Sequence, residues 1–228
     1  MNMRFLQFKI EHNVNEIYSK MNANQFSKET ESGFLIDSNM NNRVDGRYIH
    51  RKTVETVDAD PFGNEIINSF TSYDIYDFSL DKQADILLLQ DSPRDIKFFI
   101  NKLNTLFDYR ITIENLRINL LQFAEYLEDQ LQDCFLTSVE INDIYFSALT
   151  TGKVIIKGKE GIGKYLDDAT YHRKQYHVTR IGIQATFMHR VVTLEISERG
   201  VIRFVSTVGK RTVQNEMAKI LKNYLQMS

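Results

Sequence analysis

The sequence predicts an α+β fold built from two tandem strand–helix–four-strand–helix repeats, residues 1–108 and 109–228, in which antiparallel sheet packs on helices. Three observations predict it. Several segments alternate apolar and polar residues with a period of two, the mark of half-buried strands. Each half ends in a segment with an apolar stripe at helical spacing. The order of elements in the first half recurs in the second. With 228 residues, 43% of them hydrophobic and 25% charged, the chain can bury a sizeable core and has a globular composition. Two prolines and ten glycines leave no long linker in it.

Arg4–Ile10 reads as a strand and Val14–Met21 as a short helix. Gly33–Ile36 is a short strand, and the turn-forming run Ser38–Gly46 is expected as a loop. Arg47–Val57 alternates, Asp58–Asn64 turns through Pro61 and Gly63, and Ile66–Leu80 is the returning strand. Asp85–Leu89 is a short buried strand. Ser92-Pro93-Arg94-Asp95 predicts a helix start: a capping hydroxyl, a proline at the first helical position, and a carboxylate near the positive helix end. Ile96, Phe99, Ile100, Leu103 and Leu106 then share one face.

The second half begins with a strand at Tyr109–Ile113 and a helix over Leu116–Leu131. Phe135–Phe146 is a strand interrupted near Asn142-Asp143, and Lys153–Lys157 is another. In His177–Phe187, Ile181, Ile183, Ala185 and Phe187 point one way, Arg180, Gln184 and Thr186 the other. Strands around Val192–Ile196 and Ile202–Phe204 follow, then a final helix over Thr212–Gln226.

This doubled order of elements resembles the TATA-box-binding-protein-like fold, over nearly the whole chain and without any matching motif. The resemblance implies a sheet curled around the terminal helix of each half, the two halves joined into a saddle, and a protein that binds. The DNA-reading members wedge paired phenylalanines between base steps. No such pair can be placed here, and Phe146, Phe187 and Phe204 read as core.

The formal net charge of −2 hides an asymmetry. Thr150–Ser228 carries 14 Lys+Arg against 6 Asp+Glu, while the rest of the chain carries 14 against 24. A basic second half and an acidic first half suggest an anionic partner for the former. The candidate contacts among them are Lys153, Lys157, Lys159, Lys164, Arg173, Lys174, Arg180, Arg203, Lys210 and Arg211, since Lys and Arg suit phosphate contacts. Gln184 and Thr186 suit base edges or sugars, and Tyr165, Tyr171 and Tyr176 suit stacking on unpaired bases. The leading expectation is therefore a non-enzymatic protein that engages nucleic acid through its second half. The alternative is a subunit of an intracellular multiprotein complex. In that reading the acidic, tyrosine-bearing stretch with Asp74, Asp77, Asp81, Asp85, Tyr73 and Tyr76 docks a basic partner or another copy.

Other chemistry has less to stand on. Gly158–Lys164 fits the phosphate-cradling GxxxxGK loop, but the next residue is Tyr165 where a small magnesium-binding hydroxyl is needed. Glu140, Asp143, Glu195 and Glu198, with Lys153 or Lys157, sketch a metal-dependent nuclease whose spacing does not separate it from exposed strand ends. His172, His177 and His189 match no ligand spacing. No cofactor, metal or catalytic residue is expected. Cys134 is the only cysteine, so no internal disulfide forms and a reducing, cytoplasmic setting is expected. Residues 1–11 lack the apolar core of a signal peptide, and the longest apolar run, Ile86–Leu89, is far short of a membrane span.

Overall fold

A computed structural model of the chain describes residues 2–59, 61–147, 150–158, 162, 177–187, 189–205 and 210–227. It is an α+β fold, and its strands belong to one sheet in the order β2-β3-β4-β5-β1-β11-β10-β9-β7-β8, with β6 beside β1. Every strand pair with an assigned register is antiparallel. The chain divides into two compact units, a first of Gln7–Glu114 and a second of Met1–Leu6 with Asn115–Ser228, so that β1 (Asn2–Ile10) contributes to both. Among the described residues no helix is long and apolar enough to cross a membrane.

In the first unit, α1 (Val14–Asn22) is fixed by a capping box: Asn13 accepts from the Glu16 amide, and the Glu16 carboxylate accepts from the Asn13 amide. β2 (Ser32–Met40) and β3 (Arg43–Ala59) meet directly, Met40 opposite Arg43. The loop expected over Ser38–Gly46 is thus a two-residue hairpin. Asn41 and Asn42 both take positive φ, 54° and 59°, a conformation asparagine tolerates and a tight hairpin of matching twist requires. β3 and β4 (Glu65–Asp81) are each 17 residues long and stay in register throughout. β5 (Ile86–Gln90) is buried on both faces, as its unbroken apolar run anticipates.

Helix α2 (Lys97–Leu106) starts later than Ser92-Pro93 suggests, and its N-cap residue, Ile96, has no side chain that can cap it. Asp95 Oδ1 instead accepts from the Lys97 amide at 2.9 Å, while the Asp95 carbonyl accepts from the buried Tyr76 hydroxyl at 3.1 Å. Those two bonds tie residue 95 outside the helix. Phe99 and Leu103 then reach the core, where Phe34, Tyr48, Tyr76, Phe78 and Phe99 form one aromatic cluster with centroid spacings of 5.2–6.0 Å. The unit closes with β6 (Ile111–Asn115).

In the second unit, α3 (Leu120–Gln130) is capped by Asn119, and Phe123 packs on Tyr224 of the last helix, α4 (Lys210–Met227), at 4.8 Å. Against these helices lies one face of β7 (Gln132–Ser147), β9 (His177–Phe187), β10 (Arg190–Ser197) and β11 (Val201–Phe204). Ile181, Ile183, Ala185, Phe187, Val192, Leu194, Ile196, Ile202 and Phe204 are buried there, following the alternation read from the sequence. Among the described residues β8 (Thr150–Lys157) is the last strand at this end of the sheet. β10 passes to β11 through Gly200, whose φ of 72° and close approach to the Phe5 carbonyl both exclude a side chain.

Candidate functional site

The opposite face of the second unit's sheet is polar, because the same period of two that buries the apolar residues turns their neighbours outward. Cross-strand pairing lines up Glu195 with Arg203 and Gly182, Arg180 with Glu140 and Ser197, and Asn2 with Arg203. A shallow cavity of about 440 Å³ opens on this face, lined by Arg4, Arg180 and Arg203 together with Glu140, Asp143, Glu195 and Glu198. β7 carries a bulge here. Its pairing with β8 skips between Ile141 and Ile144, and Asp143 takes a φ of 55°. The sequence reading placed an interruption at this position.

The charges on this face are largely paired. Glu140 accepts from Lys153 at 2.8 Å and from the Thr179 hydroxyl at 3.4 Å, with Arg180 at 3.8 Å. The Lys153 hydrogen bond outweighs partial burial and, with the Arg180 charge behind it, holds the Glu140 carboxyl below its ordinary range. His177 contacts Glu198 through Nε2 and faces Asp143 through Nδ1 at 3.8 Å. Arg4 and Arg203 have no carboxylate at ion-pair distance among the described residues. Asn142 Oδ1 is buried with no hydrogen-bond partner there.

Of the ten basic residues read from the sequence, Arg180 and Arg203 line this cavity and Lys153 borders it through Glu140. Lys157 stands exposed on β8, outside the cavity lining. Lys159, Lys164, Arg173 and Lys174 lie outside the described residues, as do Tyr165, Tyr171, Tyr176, His172 and most of Gly158–Lys164. Lys210 and Arg211 fall in the first turn of α4, their side chains outside the description. Arg4 escaped the sequence reading. Its place between Met3 and Phe5 on an alternating strand put it on a polar face, but nothing in the sequence says that β1 pairs with β11.

The four carboxylates of the nuclease sketch do border one cavity, yet Glu140, Asp143 and Glu198 are engaged by Lys153, Arg180, His177 and Arg199. Among the described residues no three His, Cys, Asp or Glu side chains are placed to share a metal ion. Burial, with the Glu128 charge nearby, pushes the Cys134 thiol up to about 12, far from nucleophilic at neutral pH.

A second surface stands out in the first unit. Near its base the β3–β4 ribbon is core: Tyr48 opposite Tyr76, Gly46 opposite Phe78. Tyr76, expected at an interface, is fully buried against Phe99, while Tyr73 is 51% exposed. Further out, the ribbon leaves the core. β2 covers β3 only as far as His50, and β5 covers β4 only from Asp77 onward. Beyond Ser72, Val57, Ile67 and Phe70 are 60%, 64% and 53% exposed, and Phe62 at the turn 90%. The nearest cations are already used, Lys52 on Asp74 at 2.8 Å and Arg51 on the Lys28 carbonyl at 2.8 Å. From Thr53 to Thr71 the sequence holds Glu55, Asp58, Asp60 and Glu65 and no Lys or Arg, with Asp60 outside the described residues.

No protein-family model matches this chain, and no curated protein matches its sequence.

Proposed function

We propose that this chain is a non-enzymatic binding protein that serves as a subunit of a protein assembly and docks through the outer half of the β3–β4 ribbon. One observation carries the reading: a long two-stranded ribbon runs out beyond its sheet neighbours with apolar residues exposed on both faces. An isolated two-stranded ribbon is marginal in water, and a free apolar strand edge invites pairing. A partner that covers the ribbon resolves both problems. Its chemistry follows from the ribbon's own: apolar at the centre, with Lys or Arg to meet Glu55, Asp58 and Glu65. The same carboxylates repel phosphates, so the ribbon is a protein-docking element and not a nucleic-acid arm. We also read the two units as variants of one strand–helix–sheet–helix pattern, in the manner of TATA-box-binding-protein-like folds. In this reading the ribbon is the first unit's elaboration of that pattern.

The test is a benzophenone amino acid in place of Phe70 or Phe62, irradiated in cells that make the chain naturally. Covalent adducts to protein at these positions, absent when the probe stands at exposed Tyr109, are expected. Adducts to nucleic acid alone, or none above the Tyr109 control, would overturn the reading.

A second reading is nucleic-acid binding by the polar face of the second unit. One observation favours it: Arg4 and Arg203 line this face and have no ion-pair partner among the described residues. Titration of labelled single- and double-stranded DNA and RNA at two salt concentrations tests it. Salt-sensitive binding that falls about tenfold in Arg4→Ala with Arg203→Ala supports it, and binding indifferent to both changes removes it.

A further inference from the structure

We propose that the ribbon's partner is a second copy of this chain, and that the free edge of β4 pairs with the free edge of β8 in that copy. The inference rests on the ribbon being a protein-docking element. Among the described residues the main strand path ends at β2 and β8, while β6 lies off it beside β1 and carries Glu114 with no Lys or Arg. β2 carries Asp37 and no Lys or Arg, so it repels an acidic ribbon. β8 reads Thr-Thr-Gly-Lys-Val-Ile-Ile-Lys, with two cations and no carboxylate. Among the described residues it pairs with β7 alone, and Thr151, Lys153, Ile155 and Lys157 alternate outward, Ile155 being 50% exposed. Lys157 has no ion pair among the described residues, which leaves a cation to receive. Ile155 and Lys157, on one face of β8, thus meet Ile67 and Glu65, which share one face of β4. Edge pairing would satisfy the unpaired backbone groups of both strands, and the side-chain charges select the partner. Ribbon-to-ribbon pairing would bring like carboxylates together, so it loses to ribbon-to-β8. The contact joins different surfaces of the two copies. It therefore builds a closed ring or a longer chain of copies, according to the rotation between them.

The experiment is light-scattering mass measurement of the full chain across concentration at low salt. It uses the wild type and three variants. One has residues 53–71 replaced by an Asn-Gly turn. One carries Glu55→Lys, Asp58→Lys and Glu65→Lys. The third carries Ile155→Glu with Lys157→Glu and keeps Lys153 on Glu140, and its Tm reports that it is folded. Lys157→Glu alone serves if the double variant is not. The wild type should associate with rising concentration, and each variant alone should do so at least about tenfold more weakly. Mixing the two charge-reversed variants should restore association, since a basic ribbon then meets an acidic β8. Association that survives loss of the ribbon overturns the inference, as does a mixture that stays apart. A wild type that remains monomeric also overturns it, but leaves the docking reading standing if the Phe70-position probe still cross-links another protein. Loss of both signals sinks both.

Discussion

The inner and outer halves of the β3–β4 ribbon have the same strands, the same turn and the same register, and they meet opposite fates. Inside, Tyr48 and Tyr76 face each other within an aromatic cluster and are almost wholly removed from water. Outside, Val54 faces Phe70 and Val57 faces Ile67 in equally apolar pairs, and Phe70, Val57 and Ile67 are left in solvent. Strand pairing decides neither outcome; what differs is whether α2 and the flanking strands arrive to cover the pair. Apolar patterning beyond the reach of the core therefore points to a surface that another molecule covers.

Substitutions along this one hairpin separate its two halves. Tyr76→Ala or Phe99→Ala at the base should cost about 3–5 kcal/mol in urea unfolding, since each leaves a cavity in the aromatic cluster. A cost below about 1 kcal/mol would mean that the base is no core. Tyr76→Phe keeps the ring and strands the Asp95 carbonyl, for a loss of about 1 kcal/mol. Phe70→Ser and Ile67→Ser at the tip should change unfolding by no more than about 0.5 kcal/mol while abolishing docking. A large loss of stability there would show that the chain covers the ribbon itself.

The second unit supplies a milder version of the same contrast, between the covered and open faces of one sheet. Glu140 is held ionised by Lys153, so its folded-state pKa lies below the ordinary value of 4.5. A depressed carboxyl stabilises the fold above that value and ceases to as pH falls through its folded pKa. Glu140→Gln should therefore lower stability by about 1 kcal/mol at pH 7, discounted for the half-exposed Lys153, and by less at pH 3. A pH-independent difference would contradict the pairing. The smallest effect concerns Cys134, which should react with iodoacetamide at neutral pH far more slowly than a free thiol.

Much of the fold was legible because it depends on local periodicity. The face assignment over His177–Phe187, the break at Asn142-Asp143 and the helix over Val14–Asn22 follow from which neighbours alternate and where turn formers sit. The helix start at Ser92-Pro93 was misread because a tertiary bond from Tyr76 and an Asp95–Lys97 contact decide it. The Ser38–Gly46 run looked like a loop because the same asparagines serve long loops and two-residue hairpins alike. The ribbon itself was readable as two strands and a turn, and its acidity was there to count. That its outer half has no cover was not, since coverage depends on where β2 and β5 end. The ion pairs of Glu140 were hidden for the same reason: a positive charge count says nothing about which carboxylate sits across the ladder.

Amide hydrogen exchange on the full chain distinguishes a bare ribbon from a covered one. In dilute monomer, the amides of residues 53–71 should exchange much faster than those of 44–50 and 76–80, and should slow only when a docking partner is added. Equal protection of inner and outer halves in the dilute monomer would mean that the ribbon is already covered and is no docking element.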